Sequence, residues 1–291
     1  TFSSPFVLDD LSYIKENGSL RDLSNFWPPT NTRFITYLSF ALNYHFGGLN
    51  VFGFHAVNTL IHIANGLLIF QITSLCFASP RLSAFLHDGS DGNGIDRKGI
   101  ASAPYLLALS VALTFIVHPI QTESVTYLTQ RFASLGTLMY LLGLFLFINA
   151  RLSGAATVRR VLYALSIVVV LSAQITKEIC FTLPFIIALY EFSFFSGALK
   201  PRIARLLPYS LALAIIPAVL LFPWPIAEGT GGISEQIMAL QVKEMTTLSR
   251  FDYLVTQFRV IVTYLRLLVL PVAQNFEYDY PIYTSLFSPA P

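Results

Sequence analysis

The sequence predicts an all-α fold, a polytopic bundle of transmembrane helices with extracytoplasmic loops and interfacial helices. The 291 residues are 54% hydrophobic and only 12% charged, whereas soluble domains average about 25% charged residues. The apolar residues are collected in long runs between polar segments, as is typical of membrane-spanning helices. The net charge of +2 is small, which argues against a nucleic-acid partner.

The N-terminal part of the chain is polar and then aromatic. Residues 1–32 are polar and interrupted by prolines, and residues 33–46 are aromatic-rich, as in a helix that lies at the membrane interface. Residues 1–49 are therefore interpreted as an extracytoplasmic loop followed by an interfacial helix.

A transmembrane bundle of about six spans is predicted over residues 50–222. Several apolar runs are shorter than the ~20 residues that a perpendicular span needs, so some spans must extend into flanking polar residues. Residues 78–103 are rich in Gly, Asp and Ser and predict a loop. The apolar runs are 50–77, 104–117, 132–150, 161–176, 179–195 and 207–222.

Residues 223–291 predict an extracytoplasmic loop and an amphipathic or re-entrant helix. Residues 251–271 are apolar but contain Arg259 and Arg266, which are seven residues apart and share one helix face. Two arginines in a true span would cost ~2.5–3.5 kcal/mol each. This helix is therefore expected at the interface, or its arginines contact lipid phosphate; the alternative is that they snorkel toward headgroups.

The distribution of charge predicts the orientation. If the spans alternate, loops 78–103, 151–160 and 196–206 lie on one side and contain nine of the 18 basic residues but only three acids. The excess of Lys and Arg identifies this side as cytoplasmic. The acidic motifs then lie on the extracytoplasmic face.

Asp9 and Asp10 are the first candidate site residues. A carboxylate held next to a hydroxyl can act as a general base, and a pair of carboxylates can also hold a cation. The alternative is a turn or a helix N-cap in a solvated loop.

A polar stripe runs along the first span. His55, Asn58, His62 and Asn65 fall on one face, which should point into the bundle or a wet cavity rather than into lipid. The two histidines are ~10 Å apart along the axis, too far for one metal ion. Interhelical hydrogen bonding is the favoured interpretation of the stripe.

Charged residues also follow the later runs. His118, Glu123 and Arg131 are interpreted either as the lining of an outer cavity or as an end-cap with a structural ion pair. Lys177 and Glu178 lie between two spans, where they either snorkel or point into a cleft that suits an anion such as a lipid phosphate. The sequence contains no phosphate-loop, dinucleotide-binding or zinc-peptidase motif.

Six motifs carry a resemblance to a known family, and they span nearly the whole chain. They are Phe6-Val7-Leu8-Asp9-Asp10 with Ile14 and Asn17; Arg33 through Asn43; Gly53-Phe54-His55 with Asn58 and His62; His118-Pro119-Ile120-Gln121-Thr122-Glu123-Ser124-Val125 with Arg131; Lys177-Glu178 with Leu183-Pro184; and Tyr264-Leu265-Arg266-Leu267-Leu268-Val269-Leu270-Pro271. Their order resembles that of the membrane O-mannosyltransferases with C-terminal tetratricopeptide repeats and their bacterial relatives, which belong to the GT-C class of glycosyltransferases.

The resemblance implies a GT-C-like multi-pass fold in the bacterial inner membrane or the endoplasmic reticulum, with an extracytoplasmic active face. It implies transfer of a sugar from a polyprenyl-phosphate carrier to an acceptor hydroxyl, often on a protein. Because a preceding span and the repeat half are absent from this sequence, we expect it to be part of a longer protein.

The resemblance also assigns roles to residues. Asp9 would be the base, and Asp10, His118 and Glu123 would shape the site. The lipid-linked sugar would be the donor, and a divalent metal at Asp9 and Asp10 is an alternative addition. The carrier phosphate would be bound by Arg131, Lys177, Arg259 and Arg266, and the cavity would be lined by Arg33, His55, His62 and Glu178.

Two other functions compete with this one. The first is a catalytically silent relative that serves as a structural subunit, with other membrane subunits as its partners. The second is a lipid or anion transporter. A transporter would be expected to show repeated halves with broken helices, and the sequence shows no internal repeat.

Overall fold

The computed structural model describes residues 2–27, 33–88, 97–221, 249–275, 278 and 280–283. Within these ranges the chain forms helices and turns without any strand, so the predicted all-α class is confirmed. The α-helices are α1 (Phe34–Gly47), α2 (Val51–Phe77), α3 (Pro80–Asp88), α4 (Arg97–Val117), α5 (Thr122–Thr126), α6 (Arg131–Leu152), α7 (Ala156–Gln174), α8 (Leu183–Phe194), α9 (Leu199–Ser210), α10 (Ile215–Leu221) and α11 (Arg250–Val269).

Short helical turns connect several of these helices. One is a π-helical turn over Leu11–Lys15, and the others are 3-10 turns. The 3-10 turns are Gly18–Arg21, Leu23–Phe26, Pro119–Gln121, Leu128–Gln130, Glu178–Thr182 and Leu211–Ala214.

Three helical segments in the described ranges are long and apolar enough to cross a membrane: Val51–Phe77, Leu128–Leu152 and Ala156–Gln174. The number rises to four if the bent pair Ala103–Val117 and Pro119–Thr126 counts as one span. The first span begins where the sequence predicts it, because the Asn50 Oδ1 atom accepts a hydrogen bond from Phe52 N at 3.0 Å and caps the helix.

The later predicted spans are shorter than expected. The run 179–195 begins with a 3-10 turn, so that α8 has only 12 residues. A helix of that length rises only ~18 Å, well short of the ~30 Å hydrocarbon core. The run 207–222 is divided among the end of α9, a 3-10 turn and α10, and its last residue lies outside the described ranges.

Two predicted loops contain helices. The segment 78–103 includes α3 and the start of α4, and the segment 196–206 lies largely in α9. Both were interpreted as loops because they are polar. However, α3 begins at a proline, which is well suited to the first turn of a helix. In α9 the buried residues Arg202 and Tyr209 are seven apart on one face, the pattern of an amphipathic helix.

The chain divides into two compact units. Unit 1 comprises Thr1–Val117 and Ser124–Pro225, and unit 2 comprises His118–Glu123 and Ile226–Pro291. In unit 1, α6 packs against both α7 and α2, and α2 also packs against α4. The core between α6, α7 and α8 contains Phe147, Val170 and Ile187, all almost fully buried.

Close packing of α6 on α7 depends on a small residue. A Cβ atom at Gly143 would lie 3.0 Å from Val170 Cγ2, so a larger residue would require the Val170 side chain to shift by a few tenths of an ångström. The Gly143 carbonyl accepts a hydrogen bond from Ser166 Oγ at 2.8 Å, and this hydroxyl in turn accepts one from Tyr209 at 3.0 Å. Small residues and hydroxyls are the usual contacts between membrane helices.

In unit 2 the main described element is α11. The Ser249 Oγ atom accepts a hydrogen bond from Asp252 N at 3.0 Å and caps the helix. Thr256 Oγ1 accepts a hydrogen bond from Tyr283 N at 3.1 Å, which fixes the following segment against the helix. The helix is not among the candidate spans, and its predicted interfacial position stays a prediction.

Candidate functional site

Asp10 fastens the N-terminal loop to the start of α6. Its side chain is fully buried. The Oδ1 atom accepts a hydrogen bond from Thr129 N at 2.9 Å, and Oδ2 accepts one from Val7 N at 3.3 Å. Burial raises the pKa of this carboxyl, although the two N–H donors oppose the shift. Asp10 therefore acts first as a clamp between two segments that are far apart in sequence.

Asp9 has the opposite environment, because it is exposed. Leu8 adopts a positive φ of 45°, a left-handed conformation that is unfavourable for a residue with a Cβ. The Asp9 N–H donates to the Tyr127 hydroxyl at 3.3 Å. Burial raises the pKa of Tyr127 to about 12, and the charge of Asp9 adds to this shift. The turn thus holds one carboxylate outward while its neighbour is buried.

An aromatic platform lies beside this turn. The ring of Tyr13 is 5.7 Å from that of Phe132, and the ring of Tyr37 is 5.1 Å from it, both in edge-to-face geometry. Tyr13 interacts electrostatically with Asp9 and also with Arg33 and Glu178. The platform therefore connects the aspartate turn to a second charged group.

Arg33 and Glu178 form an ion pair with a 2.9 Å Nε–Oε1 distance. The arginine also lies over the Phe132 ring, 5.3 Å from its centroid. Burial acts to raise the pKa of the Glu178 carboxyl, but the hydrogen bond from Arg33, a backbone hydrogen bond and the charges of Arg33 and Lys177 together leave that pKa below its usual value. Both side chains are more than a third exposed, so the pair contributes little to stability.

Lys177 directly precedes Glu178 and the 3-10 turn that begins there. Burial and the charge of Arg33 lower the pKa of its ammonium group. This ammonium group makes no hydrogen bond or ion pair with the residues that the structure describes. It is a half-buried cation whose electrostatic neighbours include Arg33 and Glu178. We call the following group the Asp9 site: Asp9, Tyr13, Arg33, Lys177 and Glu178.

Arg131 is fully buried directly behind the platform. Its Nε donates to Asn58 Oδ1 at 2.7 Å, and its two terminal nitrogens donate to Asn43 Oδ1 at 2.5 Å and to the Phe54 carbonyl at 2.8 Å. These acceptors are neutral, and the described residues include no ion pair to Arg131. The arrangement is that of an arginine that connects α1, α2 and α6, and its predicted contact with carrier phosphate stays a prediction.

The polar stripe of α2 makes hydrogen bonds to other segments. His55 is fully buried, with Nδ1 3.1 Å from the Val125 carbonyl and Nε2 3.1 Å from the Ser4 carbonyl. His62 Nε2 is 3.1 Å from the Ile116 carbonyl, and Asn65 donates to the Ser134 carbonyl at 3.0 Å. The structure therefore shows interhelical bonding here. The lining of a cavity by His55 and His62, also predicted, stays a prediction.

Four predicted site residues belong to unit 2. His118 Nδ1 accepts a hydrogen bond from Ile120 N at 3.2 Å, which leaves Nε2 to donate to the Leu268 carbonyl at 3.1 Å. Arg259 lies over the Tyr283 ring at 4.1 Å. Arg266 is exposed and Glu123 is half-buried. The pocket predicted to combine these residues with the Asp9 site stays a prediction.

A metal site finds little support in this part of the chain. Among the described residues, no group of three His, Cys, Asp or Glu side chains could hold a metal ion. Both Asp10 oxygens already accept hydrogen bonds, which leaves Asp9 as the one carboxylate of the pair that faces outward. The arrangement suits a proton acceptor better than a divalent cation.

Tyr13 and Tyr127 connect Asp9 to its surroundings but were not among the residues predicted from the sequence. A single sequence gives no signal for them, because both are aromatic residues in an aromatic-rich chain. Glu191, an acid within a predicted span, was not among the predicted residues either; an ionisable residue at such a position is a signal in itself.

The chain is similar to curated protein O-mannosyl-transferases. It is 30% identical over 151 residues to protein O-mannosyl-transferase Tmtc3 of Drosophila melanogaster, an alignment that covers 46% of this chain and 16% of the relative. It is 33% identical over 159 residues to protein O-mannosyl-transferase TMTC4 of Homo sapiens, which covers 49% of this chain and 20% of the relative. No family model matches the chain, and no solved structure matches it.

These similarities confirm the predicted resemblance to the protein O-mannosyltransferases. Together with the apolar helices, they indicate a membrane protein. The matched segments span only 16% to 20% of these relatives' own length.

Proposed function

We propose that this chain forms the catalytic region of a multi-pass, GT-C-type membrane glycosyltransferase that moves a sugar from a polyprenyl-phosphate carrier to a hydroxyl group of a protein. The names of the relatives support mannose as the sugar and a protein as the acceptor. The observation that carries the proposal is the exposed carboxylate of Asp9, which is held on a fixed turn. Tyr13 connects it electrostatically to Arg33 and Glu178, and the half-buried ammonium group of Lys177 interacts with the same two residues.

In the proposed reaction the acceptor oxygen attacks the anomeric carbon of the donor sugar. The Asp9 carboxylate takes the hydroxyl proton as the new C–O bond forms. The bond from the anomeric carbon to the carrier phosphate breaks, and the phosphate oxygen leaves with the electron pair. The fixed turn assists because it holds the carboxylate in one direction before the acceptor arrives.

The departing phosphate needs cationic donors. Lys177 supports this part of the proposal, since its half-buried ammonium makes no hydrogen bond in the described residues. A phosphate beside it would provide the missing acceptor and stabilise its charged form. In this proposal Arg131 holds α1, α2 and α6 together behind the site. Arg266 is a further candidate for phosphate.

We also propose that the site lies on the extracytoplasmic face of the bacterial inner membrane or the endoplasmic reticulum. The support is the excess of Lys and Arg in the loops assigned to the other side.

The test is Asp9→Asn, which keeps the size of the side chain but cannot accept the proton. Transfer of labelled mannose from a polyprenyl-phosphate donor to a Ser- or Thr-containing acceptor peptide should fall at least about a hundredfold. The matched control is Glu16→Gln, which removes another exposed carboxylate of the same loop and should leave transfer unchanged.

Full transfer by the Asp9→Asn variant would overturn the role of Asp9. If the wild-type protein binds the donor but transfers no sugar, the chain is a catalytically silent relative and the enzymatic proposal fails. Movement of the intact donor lipid between leaflets, without cleavage, would favour a transporter.

A further inference from the structure

A second charged cluster in unit 1 lies outside the Asp9 site. Glu191, near the end of α8, is fully buried. Its Oε2 atom accepts a hydrogen bond from Arg151 Nε at 2.7 Å, and its Oε1 atom accepts one from Arg205 at 3.2 Å. Arg202 Nε is 3.4 Å from the same Oε1 atom. We call these residues the Glu191 cluster.

The cluster contains more positive than negative charge. Three guanidinium groups share one carboxylate. Arg202 also donates to the Glu191 carbonyl at 2.6 Å, in the last turn of α8. The partial negative charge at this helix end offsets about half of one positive charge. An excess of roughly 1.5 positive charges is left on groups that are partly removed from water. Among the described residues, Glu191 is the carboxylate that pairs with these arginines.

Two buried donors of the cluster also lack acceptors. The Arg202 residue is only 6% exposed, and its Nε–H makes no hydrogen bond with the described residues despite its proximity to Glu191. The Tyr163 hydroxyl, which interacts electrostatically with Arg205 and Glu191, is buried without a hydrogen-bond partner in the described part of the chain. Buried donors without acceptors are costly, and an anion would satisfy them.

The position of the cluster indicates where this anion comes from. Arg131 begins α6 behind the Asp9 site, and Arg151 lies 20 residues later near the end of the same helix. That separation corresponds to ~30 Å, the thickness of the hydrocarbon core. If α6 crosses the bilayer, the Glu191 cluster lies near the membrane surface opposite the Asp9 site. Arg205 is 37% exposed there and can meet a headgroup.

We propose that the Glu191 cluster is a binding site for the phosphate of a membrane lipid headgroup. Arginine suits this ligand because its planar fork donates two parallel hydrogen bonds to phosphate oxygens. The inference is independent of the proposed sugar transfer, because it concerns the other end of α6 and involves none of the residues of the Asp9 site.

The experiment compares the full chain in nanodiscs of phosphatidylcholine with nanodiscs that also contain phosphatidic acid, with and without inorganic phosphate. Phosphatidic acid should raise the unfolding temperature and stay bound in native mass spectrometry. Equal unfolding temperatures in the two lipids, with no retained phosphatidic acid, would overturn the site. Inorganic phosphate that reproduces the whole effect in phosphatidylcholine would overturn the lipid as the source of the phosphate.

The variant Arg205→Gln tests whether phosphatidic acid binds at the Glu191 cluster. It changes the most exposed arginine of the cluster and leaves the buried pair of Arg151 and Glu191 intact. Phosphatidic acid should bind about tenfold more weakly to this variant. The control is Lys200→Gln, which removes an exposed charge from the same helix and should bind as the wild type does. An unchanged affinity of Arg205→Gln for phosphatidic acid would overturn the assignment of the phosphate site to this cluster. The experiment with the two lipid compositions uses the wild-type chain, so its result does not depend on how the variant folds.

Discussion

Arg131 offers a sharp test of the difference between a structural arginine and a phosphate-binding one. Arg131→Lys keeps the positive charge but replaces a fork with one ammonium nitrogen. The three short hydrogen bonds of Arg131 reach Asn58, Asn43 and Phe54 from three different nitrogens. A lysine donates from a single nitrogen, which cannot take the positions of all three guanidinium nitrogens, so we expect two of these acceptors to be left without a donor. At ~1–2 kcal/mol each, the free energy of unfolding should fall by about 2–4 kcal/mol.

The assay is thermal unfolding of the purified protein in detergent, followed by intrinsic fluorescence. For a chain of this size the expected loss corresponds to a decrease of roughly 3–7 °C in the unfolding temperature. The control is Arg159→Lys, a change on the exposed face of α7 that should shift this temperature by less than about 2 °C.

One result would show that Arg131 binds phosphate instead of holding the helices together. If Arg131→Lys unfolds at the wild-type temperature but binds the polyprenyl-phosphate donor more weakly, Arg131 faces the carrier phosphate, and the buried network described for it does not govern its role.

Two other predictions concern stability. Because burial raises the pKa of Asp10, its contribution to stability is complete below the unfolded value of about 4 and is lost as the pH rises through the raised folded value. Asp10→Asn should remove this pH dependence from unfolding temperatures measured between pH 4 and 7, and an unchanged profile would contradict it. Gly66→Ala adds a Cβ atom that overlaps Ile116 Cδ1, and should lower the free energy of unfolding by ~1–3 kcal/mol. Combining it with Ile116→Ala should lower stability by less than the sum of the two separate losses, measured in the same way; strictly additive losses would show that the helices do not meet there.

The long apolar segments could be predicted from sequence because each depends on local properties. The run 50–77 becomes α2 almost unchanged, since its own apolar residues and the Asn50 cap define both its interior and its beginning. The polar helices α3 and α9 could not be found by hydropathy. Their helical state depends on a proline in the first turn and on a buried face that only a neighbouring helix provides.

The candidate site could be predicted from the sequence only in part. Asp9 and Asp10 are adjacent and chemically identical, yet one is exposed and the other buried. The difference depends on Thr129, 119 residues beyond Asp10, whose N–H receives the buried carboxylate. The Glu191 cluster likewise combines α6, α8 and α9, and its arginines looked like ordinary basic residues of cytoplasmic loops.

The sequence by itself determined that this protein is helical, apolar enough for a membrane and similar to the protein O-mannosyltransferases, because composition, apolar runs and ordered motifs are properties of the chain read in order. Only the tertiary structure decided which charged groups are buried and which are exposed. The free energy of a carboxylate or guanidinium depends on the donors, acceptors and water around it. Those neighbours come from distant segments that only the folded helices bring together.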